Sequence, residues 1–302
     1  MKHLALLLAF ACAFPVFAQE PAPATPAAKT QQKPFKKIAD VPYVTDGHAR
    51  QKLDLYLPEQ STGPRPLVVW IHGGGWAAGS KNGLPAADGL IKSGYVCASV
   101  EYRFSQDAKY PAQIEDCKAA IRWLRAHAAE YGIDPKRVGV WGASAGGHLV
   151  ALLGTTGNLR DFDVGENLDQ SSSVQCVLDW FGPTDFLHWG NDNASINRPD
   201  SLVSKLLGAP ADQKPEPAHR ASPIEFVTAQ SAPFLIMHGD EDPIVPLQQS
   251  QDFAAALKKA GVACELVTIA GEKHGGPGFL GPDKILKMAA FLGEYLQPGK
   301  PQ

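Results

Sequence analysis

The chain has 302 residues, of which 44% are hydrophobic and 20% are charged, as in an ordinary globular protein. Its 28 basic and 31 acidic side chains nearly balance and form no basic block, which argues against a nucleic-acid partner. The five cysteines include no C-x-x-C pair, so zinc is unsupported, and no other metal or cofactor is implied. No feature of the sequence indicates an oligomeric state.

Residues 1–18 have the form of an export signal. A short basic region precedes the apolar run 4–17, which is shorter than the about 20 residues needed to span a bilayer. We therefore expect cleavage after Ala18, a secreted or periplasmic location, and no stable membrane insertion. Residues 19–34 are rich in Pro, Ala and Gln, so we expect a disordered leader there.

From Phe35 onward, strand-like and helix-like segments alternate, which predicts an α/β fold with a mostly parallel central sheet and helices on both faces. We expect a single domain over residues 35–302. The predicted strands are VPYVTD, KLDLYLP, PLVVWI, GYVCASVEYR, RVGVW, VQCVLDWF, PFLIMHG and CELVTIA. The predicted helices are YPAQIEDCKAAIRWLRAHAAEYG, AGGHLVALLG, PLQQSQDFAAALKKAG and DKILKMAAFLGEYLQ.

The stretch from Gly182 to Ser222 interrupts this alternation. It contains five prolines and no clear strand, and it is too long for a simple connection. We expect an inserted lid over about residues 182–222, with short helices such as SLVSKLLG.

A serine between glycines is the first candidate for chemistry. Gly142-Ala143-Ser144-Ala145-Gly146 matches G-x-S-x-G and lies between a predicted strand and a predicted helix. Such a turn exposes the serine hydroxyl above the sheet, and the helix N-terminus favours developing negative charge. Ser144 is therefore the predicted nucleophile.

The segment HGGGW, residues 72–76, follows another predicted buried strand. Glycines let backbone N–H groups approach the oxyanion that forms when a serine attacks a carbonyl carbon. We predict donors at Gly73 and Gly74, with the N–H of Ala145 as a third. Gly75 remains an alternative, because the sequence does not define the conformation of this loop.

An acid and a histidine should follow in that order. The segment HGDEDPIVP offers Asp240, Glu241 and Asp242 after a strand, and GEKHGGPG offers His274 after the last strand. We choose Asp242 as the acid and His274 as the base, because Asp240 directly follows Gly239 and is placed to shape the turn. The reverse assignment of Asp240 and Asp242 stays open.

The remaining histidines and aromatic side chains have structural explanations. His72, His148 and His238 occupy positions typical of loop bracing or packing. Six aromatic side chains are candidates for lining an acyl pocket, and packing explains most of them: Trp76, Phe104, Trp180, Phe181, Phe186 and Trp189. Trp76 is the predicted substrate contact, and Trp189 stays open.

Taken together, HGGGW, GASAGGHL, HGDEDPIVP and GEKHGGPGF resemble the α/β-hydrolase fold over about residues 40–297. The resemblance is to esterases with an H-G-G-G loop, near the hormone-sensitive-lipase-like group, and more closely to bacterial feruloyl and acetyl-xylan esterases of the Bacteroidetes type. It implies the same nucleophile, acid and base, and esters of plant polysaccharides as substrates. A formamidase, a general short-chain carboxylesterase and a non-catalytic binding module are the alternatives.

Overall fold

The structure is a computed structural model, and it describes residues 35–59, 63–190 and 193–297. Within these ranges, eight strands form one sheet in the order β1-β2-β4-β3-β5-β6-β7-β8. Strand β2 runs antiparallel to β1 and β4, and all other neighbours are parallel. The strands are β1 Phe35–Pro42, β2 Lys52–Pro58, β3 Arg65–Ile71, β4 Val96–Val100, β5 Ile133–Ala143, β6 Cys176–Trp180, β7 Phe234–Gly239 and β8 Cys264–Ile269.

Helices cover both faces of this sheet. The α-helices are α1 Ala87–Lys92, α2 Ala112–Ala126, α3 Ala145–Thr155, α4 Asn193–Ile196, α5 Leu202–Leu207, α6 Pro215–Ala221, α7 Leu247–Lys259 and α8 Pro282–Leu296. Apolar side chains of α2, α3 and α7 belong to one core cluster, and those of α1 and α8 belong to another. The predicted α/β architecture, with a mostly parallel sheet between helical layers, is confirmed.

Several predicted boundaries differ from the structure, and the start of the first strand and the end of helix α2 differ most. The first strand occupies Phe35–Pro42 rather than VPYVTD, because the chain leaves the sheet at Tyr43, whose buried hydroxyl donates a hydrogen bond to the Glu101 carbonyl at 2.8 Å. Helix α2 ends at Ala126, before the predicted end at Gly132. The short helix α1 was not predicted from the sequence.

Between β6 and β7, the predicted lid region contains α4, α5 and α6, and α5 coincides with SLVSKLLG. Its function as a lid stays a prediction. The predicted signal and leader, residues 1–34, lie outside the described residues. Over the described ranges, no helix combines the length and apolar character needed to cross a membrane, and the four cysteines are free thiols.

The parallel strands position the candidate site. Because β3, β5, β7 and β8 run in the same direction, their carboxyl ends lie along one edge of the sheet. The HGGGW loop, Ser144, Asp242 and His274 each follow one of these ends. The sheet therefore brings together four segments that are far apart in sequence.

Asp179 is a buried carboxyl group near the end of β6. One oxygen accepts the Gly182 N–H at 3.0 Å, whereas the other has no hydrogen-bond partner among the described residues. Burial raises the pKa of Asp179 to about 7. Since this pKa exceeds the unfolded value, the folded state retains the proton as pH rises, and stability is lost between about pH 4 and pH 7.

We expect Asp179→Asn to stabilise the protein in a pH-dependent way. The free energy of unfolding should exceed that of the wild type by about 4 kcal/mol near pH 8, and by less than half of that near pH 5. Urea unfolding of both proteins at the two pH values measures the difference. A difference that does not change with pH would show that the charge on Asp179 is not responsible.

Candidate active site

Ser144 lies at the turn from β5 into α3, in a backbone conformation that side chains rarely adopt. Its φ is 56° and its ψ is −121°. The Ser144 N–H donates to the Trp180 carbonyl on β6 at 2.9 Å, and the Ser144 carbonyl accepts the His148 N–H at 2.9 Å. Both peptide groups of this turn are thus held by the sheet and by the first turn of α3.

The glycines of the G-x-S-x-G motif are required by close backbone contacts. A Cβ on Gly146 would lie 2.0 Å from the Ile71 carbonyl oxygen on β3, and one on Gly142 would lie 2.3 Å from the Gly146 oxygen. No rearrangement of a flexible side chain relieves these overlaps, because the contacting atoms are backbone. The pattern seen in the sequence therefore reflects how tightly α3 packs against β3 and β5.

The structure brings the predicted nucleophile, base and acid into one hydrogen-bonded chain. Ser144 Oγ lies 2.7 Å from His274 Nε2, and His274 Nδ1 lies 2.7 Å from Asp242 Oδ2. An ionised carboxylate only accepts hydrogen bonds, so Nδ1 carries the proton and Nε2 is free to accept the serine proton. This geometry is that of an activated serine.

The Asp242 carboxylate is fully buried but well supplied with donors. Its Oδ1 accepts the N–H groups of Ile244 at 2.8 Å and Val245 at 3.0 Å, and His238 Nε2 lies 3.2 Å from Oδ2. Burial acts to raise the pKa of Asp242, but the hydrogen bonds from His238, His274 and the two backbone groups hold it well below its usual value. Asp242 is therefore ionised at neutral pH.

Asp240 has a different contact. Its Oδ1 accepts the Gly271 N–H at 2.7 Å, which ties the loop after β7 to the loop after β8. Of the two open assignments, the structure therefore places Asp242, and not Asp240, against His274.

The predicted oxyanion loop lies beside the serine. A Cβ on Gly73 would be 3.2 Å from Ser144 Cβ, whereas one on Gly75 would meet the side chain of Leu202 at 2.4 Å. The N–H groups of Gly73, Gly74 and Ala145 have no hydrogen-bond acceptor among the described residues. Gly73 is thus the loop glycine that adjoins the nucleophile, and Gly75 faces α5.

Trp76, the predicted substrate contact, is 3% exposed, and its indole N–H donates to His148 Nδ1 at 3.1 Å. This placement makes it a packing residue of the loop and does not support a role in substrate binding. The other five aromatic candidates are also at most 6% exposed: Phe104, Trp180, Phe181, Phe186 and Trp189.

Two contacts of the site were not predicted from the sequence. His238 contacts the same carboxylate oxygen of Asp242 as His274 does, and the Phe181 ring centroid lies 4.6 Å from that of His274. The spacing of His238 and Asp242 in HGDED is compatible with such a contact but does not require it. His72 braces its own loop, with Nδ1 2.7 Å from the Gly73 carbonyl and its ring stacked on Tyr102.

In the described part of the chain, no group of three His, Cys, Asp or Glu side chains is arranged to hold a metal ion.

Comparison with known proteins identifies the family. The model of the BD-FAE family matches residues 53–257. The chain belongs to the BD-FAE family. One curated relative is the esterase LipC of Mycobacterium tuberculosis. The two proteins are 33% identical over 214 residues, which cover 69% of this chain and 52% of LipC. The chain spans about half the length of the curated relatives it matches.

Solved structures with a similar fold include a carbohydrate esterase and a GH43-CE protein. A truncated carbohydrate esterase from gut microbiota has a TM-score of 0.81 and 33% identity, covering 87% of this chain and 98% of that chain. A bifunctional GH43-CE protein of Bacteroides eggerthii has a TM-score of 0.80 and 33% identity, covering 86% of this chain and 38% of that one. With the sheet order described above, these matches confirm the predicted α/β-hydrolase fold.

The different contacts of Asp242 and Asp240 predict that substitution by asparagine lowers kcat at the first position but not at the second. Asp242→Asn should lower kcat for an activated ester by about a thousandfold or more, because the amide no longer holds His274 in the required tautomer. Asp240→Asn is the matched control and should keep kcat close to the wild-type value, because the hydrogen bond of its carboxylate within the described structure is to the Gly271 N–H and not to His274. Steady-state kinetics on p-nitrophenyl acetate distinguishes them, and a larger loss in the Asp240 variant would reverse the assignment.

Proposed function

We propose that this chain is a serine esterase that hydrolyses carboxylic esters through an acyl-enzyme. The observation that carries the proposal is the hydrogen-bonded chain from Ser144 Oγ through His274 to the buried Asp242. The N–H groups of Gly73, Gly74 and Ala145 have no acceptor among the described residues, and Gly73 and Ala145 adjoin this serine, where an oxyanion would form. The names of the relatives, among them an esterase and a carbohydrate esterase, support the same reaction class.

The geometry accounts for each proton in the proposed reaction. His274 Nε2 takes the proton of Ser144 as Oγ bonds to the ester carbonyl carbon, and the carbonyl oxygen becomes an oxyanion. The N–H groups of Gly73, Gly74 and Ala145 stabilise that charge. The C–O bond to the alcohol then breaks, and His274 gives its proton to the leaving oxygen. Water, deprotonated by His274, cleaves the acyl-enzyme by the same route.

Within this reaction class, we propose acetyl esters of plant polysaccharides as the substrates. The titles of the similar solved structures name a carbohydrate esterase and a GH43-CE protein, which supports a carbohydrate ester. A feruloyl group needs an open apolar surface, but the six candidate aromatic side chains are buried. Their burial favours the small acetyl group over the feruloyl group.

Partly exposed apolar side chains flank the site and fit this proposal. Leu202, which contacts Gly75, is 46% exposed, and Ile244, next to the acid, is 58% exposed. They offer an apolar rim that a small acyl group could contact. We also propose that the enzyme acts after export, on the basis of the signal-like residues 1–18.

Removing the nucleophile tests the reaction class. Ser144→Ala should remove nearly all turnover of p-nitrophenyl acetate and all labelling by a fluorophosphonate, because no other hydroxyl lies against His274 Nε2 in the described structure. Thermal unfolding should show that the variant still folds. Undiminished turnover in a folded variant, or a wild-type protein that neither reacts with the probe nor cleaves esters, would exclude a serine esterase.

A substrate panel tests the acyl group. We expect kcat/KM for p-nitrophenyl acetate to exceed that for p-nitrophenyl ferulate by roughly tenfold or more, because the aromatic side chains that could stack on a feruloyl ring are buried. The shared leaving group makes these two esters a matched pair. Release of acetate from acetylated xylan tests the natural substrate class. A preference for the ferulate ester would contradict the acetyl assignment, and a preference for N-formylkynurenine would favour a formamidase.

A further inference from the structure

His148 is a fully buried histidine on α3, one helical turn after Ser144. Each of its ring nitrogens meets a different part of the chain. Nδ1 lies 3.1 Å from the indole nitrogen of Trp76, in the oxyanion loop, and Nε2 lies 2.7 Å from the carbonyl oxygen of Ala221, at the end of α6. Three separate segments therefore meet at one imidazole.

The partners determine the state of this imidazole. An indole N–H only donates and a carbonyl oxygen only accepts, so Nδ1 is unprotonated and Nε2 carries the hydrogen. Burial lowers the pKa of His148 to about 4, which keeps the ring neutral at neutral pH. Both nitrogens are satisfied only in this one tautomer and orientation, so the ring acts as a directional link.

The link reaches the part of the loop that carries the predicted oxyanion donors. Trp76 follows Gly74 by two residues and has a left-handed backbone with φ of 55°, which is costly for a bulky residue and persists only where its surroundings hold it. Its carbonyl accepts the Ser105 N–H at 2.7 Å, and its ring makes edge contacts with His148 and Phe186. The side chain of Trp76 is thus anchored to the helix that bears Ser144 and Ala145.

We propose that His148 is a positioning residue that holds the Gly73 and Gly74 N–H groups in register with the Ala145 N–H. The inference rests on the proposed esterase function, because it concerns the stabilisation of that reaction's oxyanion. The donors come from two segments, the loop after β3 and the first turn of α3. Their alignment depends on contacts between those segments, and the Trp76–His148 hydrogen bond is a side-chain link between them.

The test uses His148→Phe and Trp76→Phe, which each remove this hydrogen bond and keep an aromatic ring. Active sites are first counted by titration with a fluorophosphonate, and kcat is then expressed per labelled site. We expect both variants to lower kcat per site by about 10- to 100-fold while KM for p-nitrophenyl acetate changes little, because the oxyanion donors act on the transition state. The double variant should lose little more than the worse single variant.

Trp70→Phe is the matched control. Trp70 is also a buried tryptophan, on the strand that leads into the same loop, but its indole N–H has no hydrogen-bond partner in the described structure. This variant should lower Tm while keeping kcat per labelled site at the wild-type value.

Two results would count against the inference itself. Unchanged kcat per labelled site in Trp76→Phe, with a lower Tm only, would show that the link is structural. If His148→Phe does not fold, Trp76→Phe decides alone, because it leaves the His148 ring in place. If Trp70→Phe lowers kcat per labelled site as much as Trp76→Phe does, the inference is also contradicted. A wild-type protein without labelling or turnover would instead overturn the proposed function, and this inference with it.

Discussion

The backbone of Ser144 is the constraint on which the site depends. A non-glycine residue in this region of φ and ψ costs about 1–3 kcal/mol and persists only when its neighbours determine it. Here the Trp180 carbonyl holds the Ser144 N–H, and Gly146 lies so close to the Ile71 carbonyl that no side chain fits between them. Strands β3, β5 and β6 and helix α3 therefore set the position of the serine hydroxyl together, and the rest of the site is arranged around that point.

The buried charge of Asp242 is stabilised by hydrogen bonds. Removing a carboxylate from water costs several kcal/mol unless hydrogen bonds replace the lost solvent. Asp242 receives donors from His274, His238 and two backbone N–H groups, one set on each oxygen. The charge is thus held in place without water, and it orients His274 toward Ser144.

The sequence allowed most of the fold and the core of the site to be predicted, because those features leave local patterns. Buried strands appear as apolar runs, and the serine motif reflects a close backbone approach that only glycine permits. The choice between Asp240 and Asp242 as the acid could not be settled from the sequence, because it depends on their long-range contacts to Gly271 and His274. The burial of Trp76 and the link through His148 were missed for the same reason, since contacts between β3, α3 and α6 have no signature in any one segment.

The segment between β6 and β7 is joined to the site more firmly than a freely moving lid would be. The Ala221 carbonyl accepts a buried hydrogen bond from His148, and the Phe186 ring packs against both His148 and Trp76. Lifting α6 away would leave His148 Nε2 unsatisfied in the interior, at a cost of about 1–3 kcal/mol, and would disturb the partner of the oxyanion loop. We therefore infer that substrate enters past Leu202 and Ile244, whose side chains are already exposed, while α6 stays in place.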